Sequence, residues 1–175
     1  DDEGLVLPPS LAPIQVVIVP IYRSDEEREK VEAAAEQIKL KLEDLDLSVK
    51  FDNRDTYKPG YKFAEWELKG VPLRIAIGPR DIENGTVELA RRDTKEKSVT
   101  SIEGIDLHIK NLLNEIQSAI YERAKSFRDE NIHTVNSWDE FKEVLDSKGG
   151  FISAHWDGTG ETEEKIKELK IVCKT

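Results

Sequence analysis

PGYKFAEWELKGVPLRIAIGPRD, residues Pro59–Asp81, is the stretch whose reading decides the fold. Pro59-Gly60 breaks the chain, and Gly70 followed by Pro72 closes what lies between as a short helix. Leu73, Ile75 and Ile77 alternate with Arg74 and Ala76, the period of a strand. Gly78-Pro79 then reads as a turn carrying charge. Phe63 and Glu67 stand four apart and share one helical face. Arg74 points from the strand and Arg80 follows its end, so a ring, a carboxylate and two guanidiniums are expected to converge on one edge of a sheet.

Working outward, the flanks supply the rest of an α/β sheet. Ile14 to Ile21 is a nearly unbroken apolar run, as in a strand buried on both faces. Ser24 with Glu27 forms a capping box that opens a helix to about Leu45, with Val31, Ala35, Ile38, Leu42 and Leu45 inward. Leu47 to Phe51 alternates as a second strand. A strand–helix–strand order implies a right-handed crossover and a parallel pair. Beyond the central stretch, Thr86 to Ala90 and Ser98 to Thr100 read as a hairpin joined by Arg91 to Lys97. Thr100 and Glu103 read as a further capping box before a long helix. Ile105, Ile109, Leu112, Ile116 and Ile120 line one side of it, and it ends near Arg128. Asn131 to Asn136 reads as a hinge. A helix capped by Ser137, a strand Phe151 to Trp156, a charged helix Glu161 to Leu169 and a last strand Ile171 to Cys173 complete the chain.

Composition bounds the function. The 175 residues give room for one large or two small domains. No apolar run approaches the roughly 20 residues of a membrane span, and Asp1-Asp2-Glu3 offers no basic start for a signal peptide. A cytoplasmic protein with no membrane partner is the expectation. Cys173 is the single cysteine, so neither an internal disulfide nor a multi-cysteine metal site is expected. The chain begins without Met, which predicts a piece of a longer protein. The net charge of −10 argues against nucleic acid, yet residues 54–97 carry ten Lys/Arg against eight Asp/Glu, so the acidity lies elsewhere. A reader of splayed single-stranded bases relies on stacking and edge hydrogen bonds and needs fewer charges than a duplex clamp.

At Pro59–Arg74 (PGYKFAEWELKGVPLR), Ile77–Asp81 (IGPRD) and Arg91–Lys97 (RRDTKEK) the chain resembles the anticodon-binding domain of class II aminoacyl-tRNA synthetases, in detail the prolyl family. Gly4–Pro20 resembles the junction where that family leaves its catalytic domain, and Ser137 to Lys167 its C-terminal domain. The resemblance implies a mixed α/β sheet flanked by helices, followed by a small α/β domain. Residues 1–13 would be a leader from the catalytic domain, 14–107 the anticodon-binding domain, 108–130 a bridging helix and 131–175 the C-terminal domain. It implies recognition of tRNA(Pro) within a proline-tRNA ligase. ATP with Mg2+, the catalytic domain and homodimerisation would belong to the full-length enzyme, and this piece alone would be non-catalytic and without cofactor.

Proline codons are CCN, so the cognate anticodons end in two guanines. The pairing edge of guanine offers N1–H and N2–H donors to a carboxylate, and its O6 and N7 accept from Arg or Lys. By the resemblance, Phe63, Glu67, Arg74, Arg80 and Lys97 stand where the prolyl family reads its anticodon, Phe63 by stacking. Arg54, Asp81 and Arg92 are secondary, contacting phosphate, orienting the readers, or simply solvated. The plainer alternative pairs Glu67 with Lys69 or an arginine and buries Phe63 in the core. Trp66 is expected in the core of its domain, and Trp138 and Trp156 in the core of the second.

No metal or catalytic constellation stands out. His108, His133 and His155 lack partners at ligand spacing. Many prolyl enzymes of this type carry a cysteine-ligated zinc in the C-terminal domain. Here Asp157 stands where a first cysteine would, and no zinc is expected. Gly158-Thr159-Gly160-Glu161 lacks the lysine and the glycine spacing of a phosphate loop and reads as a helix start. Two other readings remain. A free-standing, non-enzymatic interaction module would have lost Glu67, Arg74 and Arg80, which are present. A small independent α/β enzyme would need a paired acid and base near Asp52 to Lys58, and none is seen.

Overall fold

A computed structural model describes residues 4–169, and the chain divides into two compact units, Asp1–Tyr121 and Glu122–Thr175. The first unit holds five strands: β1 (Val16–Pro20), β2 (Val49–Phe51), β3 (Leu73–Ile77), β4 (Thr86–Arg91) and β5 (Lys97–Ser101). Their spatial order is β2-β1-β3-β4-β5. β1 runs parallel to β2 and β3, while β4 and β5 are antiparallel additions. The mixed α/β sheet expected from the sequence is therefore present, with its parallel half joined by α1 (Asp25–Glu43). The Ser24 hydroxyl accepts from the Glu27 backbone N–H at 3.2 Å. The Glu27 carboxylate accepts from the Arg23 N–H at 2.8 Å, one residue earlier than a reciprocal box requires.

The two sheet faces have different fillings. On one, Val16, Ile18, Leu73, Ile75, Ile77, Val87 and Leu89 pack against Val31, Ala35, Ile38 and Leu42 of α1. Ile105, Ile109, Leu113 and Ile116 of α4 (Ile105–Glu130) join them. Each fully buried Leu or Ile contributes about 1.5–3 kcal/mol. On the other face Val17 and Val19 meet Trp66 of α2 (Pro59–Leu68) and Val71. Trp66 is thus in the core, as read. The alternation in β3 does not separate core from solvent, because all five residues are buried.

Several elements differ from the sequence reading. α2 begins at Pro59 itself, whose missing N–H costs nothing in a first turn, so Gly60 lies inside the helix. The charged turn after Gly78 is a short helix, α3 (Pro79–Asn84), closed by Gly85 at φ 65°. Thr100 does not cap α4: it lies in β5 opposite Val87, and the Ser101 hydroxyl instead accepts from the Glu103 N–H at 3.1 Å. The leader runs beside the end of α2. Leu5 and Leu7 donate to the carbonyls of Leu68 and Gly70 at 3.1 and 3.4 Å.

The second unit contains β6 (Ile132–Thr134), α5 (Trp138–Ser147), β7 (Phe151–Ser153) and α6 (Gly160–Glu168). The expected hinge is a strand, because Ile132 to Thr134 pair in parallel with Phe151 to Ser153. Ser137 caps α5 as read, accepting from the Glu140 N–H at 3.2 Å. Trp138 and Trp156 are not core; they are 41% and 67% exposed, since so small a unit buries little, and Val135 is its one buried residue among those described. Ile171, Val172 and Cys173 lie outside the described residues. Among the described residues no helix is long and apolar enough to cross a membrane, and no group of three or more His, Cys, Asp or Glu could hold a metal ion.

Candidate nucleic-acid interface

The helix α2 is fixed to the sheet by a buried polar cluster around Asp52, at the carboxyl end of β2. Trp66 Nε1 donates to Asp52 Oδ2 at 2.8 Å, and Lys62 Nζ to the Asp52 carbonyl at 3.0 Å. Arg54 grips the Asp52 carboxylate with Nε and Nη2, both at 2.7 Å, and Nη2 also reaches Glu65 at 2.7 Å. Burial pushes the Asp52 carboxyl up, but the hydrogen bonds from Arg54 and Trp66 and the nearby Lys62 charge outweigh it, bringing it to about 2. Burial lowers the Lys62 ammonium. Arg54, a secondary candidate from sequence, is thereby engaged in holding α2.

With α2 so placed, Phe63 and Glu67 face a cleft of about 250 Å³ over the sheet, shared with Arg74, Arg92 and Lys97. Five cations and one carboxylate line it, Arg91 and Lys95 being the others. Arg74 is only 5% exposed, and its guanidinium lies 3.6 Å from the centre of the Phe63 ring. This is a close cation–π stack. Nη1 reaches Glu88 Oε1 at 3.4 Å, while Nε is buried with no hydrogen-bond partner among the described residues. Burial lowers the Arg74 guanidinium, opposed by the charges of Glu88 and Glu67.

Lys69, the partner that the plainer reading gave Glu67, instead pairs with Glu65 at 2.6 Å. The Glu67 side chain is exposed and makes no hydrogen bond or ion pair with a described residue. Its backbone carbonyl accepts from Arg92 Nε at 2.9 Å, so buried Arg92 secures the end of the helix beneath the carboxylate. Phe63 is partly buried against the Trp66 cluster, and one ring face is taken by Arg74. Lys97 is 58% exposed at the rim.

Arg80 does not join this group, which corrects the expected convergence of two guanidiniums. Arg74 and Gly78 are separated by most of β3, roughly 13 Å at about 3.3 Å per residue. Arg80 lines a different cleft of about 380 Å³ with Tyr22, Arg23, Glu27 and Asp81, at the carboxyl ends of β1 and β3. It is exposed and makes no ion pair with a described residue. Asp81 accepts from the Gly78 N–H at 2.8 Å and so caps α3. Sequence reasoning passed over Glu88. Its signal was the hairpin alternation, which puts Glu88 and Ala90 on the face that Arg74 shares.

The family model of the anticodon binding domain matches residues 15–119, and that of the prolyl-tRNA synthetase C-terminal domain matches 138–173. A proline–tRNA ligase of Flavobacterium psychrophilum is 63% identical over 97% of the chain. Those of Cytophaga hutchinsonii and Bacteroides fragilis strain YCH46 are 61% and 58% identical over 96%. The chain spans about a third of the length of these relatives, 34% in each.

Proposed function

Because the chain belongs to the anticodon-binding domain family, with a prolyl-tRNA synthetase C-terminal domain behind it, we propose that it reads the anticodon of tRNA(Pro). The observation that carries the reading is the exposed Glu67 carboxylate, paired with no described residue, beside the Arg74 guanidinium stacked on Phe63. A guanine brings donors to Glu67 and acceptors to Arg74 and Lys97. Arg80, with Asp81, serves a separate part of the same loop from its own cleft. Arg54 and Arg92 position α2.

The ligation of proline to tRNA, with its ATP and Mg2+, is the activity we assign to the whole protein of which this domain is the recognition part. Binding energy spent at the anticodon accelerates distant chemistry when it orients the reacting end. The natural setting is the cytosol, in a homodimeric enzyme whose catalytic domain is a partner of this one. The test is a titration of the 175-residue chain with a proline anticodon stem-loop and with a copy whose two guanines are replaced, at low and moderate salt. A preference for the guanine form that persists at moderate salt is expected. Equal binding that dissolves with salt would leave only backbone contact and overturn the reading.

A further inference from the structure

Glu88 stands in the middle of β4 and has no part in the reading just given. Its register partners are Ala76 on β3 and Val99 on β5, one step from the row Arg74, Ala90, Lys97. The two-residue period puts both rows on the same face. A single carboxylate oxygen, Oε1, meets Arg74 Nη1 at 3.4 Å and Lys97 Nζ at 3.7 Å. The other oxygen makes no hydrogen bond with a described residue, and the side chain is 36% exposed. One carboxylate, Glu67, lines the cleft, and a second, Glu88, stands behind two of its cations. Glu67 pairs with no described residue, whereas Glu88 sits on the two cations that an incoming RNA phosphate would seek.

We propose that Glu88 is a specificity-determining residue of the cleft, which keeps backbone phosphate off Arg74 and Lys97 and reserves them for the acceptor atoms of a neutral base. A phosphate that approached either cation would also approach a fixed negative charge, while O6 and N7 of a base carry no net charge and meet little repulsion. Discrimination then comes as much from rejecting the wrong group as from holding the right one. The inference rests on the base-reading function proposed above.

Glu88→Gln tests it, since glutamine keeps the shape and one acceptor oxygen and removes the charge. The 175-residue variant is titrated with the proline anticodon stem-loop and its guanine-replaced copy across a salt series. Binding of the guanine-replaced copy is expected to tighten about fivefold, the scale of one partly exposed charge contact. The slope of log affinity against log salt should steepen by about 0.7, one further phosphate on a single strand. The guanine preference should fall by the same factor, and Glu88→Asp should return all three toward the parent values. Equal weakening on both ligands with an unchanged slope would mean that Glu88 is only a packing residue, and would overturn the proposal. A parent chain without guanine preference would sink the anticodon reading, and the slope would still judge Glu88. Thermal melts establish that each variant folds, and Glu88→Ala, which also removes the charge, carries the test if the Gln form does not.

Discussion

Arg74 is a charged group kept almost out of water, and three different partners make that tolerable: the Phe63 face, Glu88, and the nearby charge of Glu67. Only a planar guanidinium can stack its face on a ring while its edge presents a fork of donors. Arg74→Lys should therefore weaken binding of the guanine stem-loop about tenfold and of the guanine-replaced copy far less, read by titration of both. Equal losses would make Arg74 a phosphate contact. At this scale the sequence was partly legible. Phe63 and Glu67 declared a shared face by their spacing, and the motif around Arg74 carried a resemblance. That Arg74 is buried could not be read from an arginine in an apolar strand, and Glu88 looked like any solvated strand carboxylate. Two arginines close in sequence read as close in space, yet most of β3 lies between Arg74 and Arg80.

The element that matters most is α2, and its hold on the sheet is electrostatic as well as apolar. The Asp52 carboxyl is 1% exposed and depressed from 3.8 to about 2 in the folded chain. A depressed carboxyl stabilises the fold fully above its unfolded value, and that stabilisation is lost as pH falls through the folded value. Unfolding followed from pH 5 to 2 should show a loss of about 2 kcal/mol from this group, mostly below pH 4. Asp52→Asn should be less stable at pH 5 and lack that part of the acid slope; an unchanged slope would place the acid sensitivity elsewhere. Helices and strands with long periodic patterns were legible, as α1 and β3 show. Short ones were not: α3 hid behind a Gly-Pro that reads as a turn, and β6 has three residues whose pairing with β7 is a tertiary fact.

Over the whole molecule, a chain of net charge −10 presents a cleft lined by five cations. The acidic remainder repels RNA everywhere but at the site, so the ionic share of binding should be small. The salt slope for the stem-loop is expected near −1 to −2, one to three phosphates at about 0.7 each, and a slope steeper than about −4 would point to a wider basic surface. The overall sheet was legible because apolar runs and crossover rules leave few arrangements. The exposed tryptophans of the second unit were misread because aromatic residues suggest a core, and a unit this small buries little.

The path of residues 4–7 has a consequence for which sequences can keep this site. Leu5 and Leu7 meet the end of α2 through backbone hydrogen bonds. A methyl group at Gly4 would stand 2.6 Å from Leu68 Cα, and one at Gly70 2.6 Å from Leu5 Cβ. The leader can therefore drift in composition at its exposed leucine, but not in length, because one inserted or deleted residue would misalign the pairing and carry a side chain to where only hydrogen fits. Substitutions there are cheap and indels are not, although no residue that would touch RNA is altered by either.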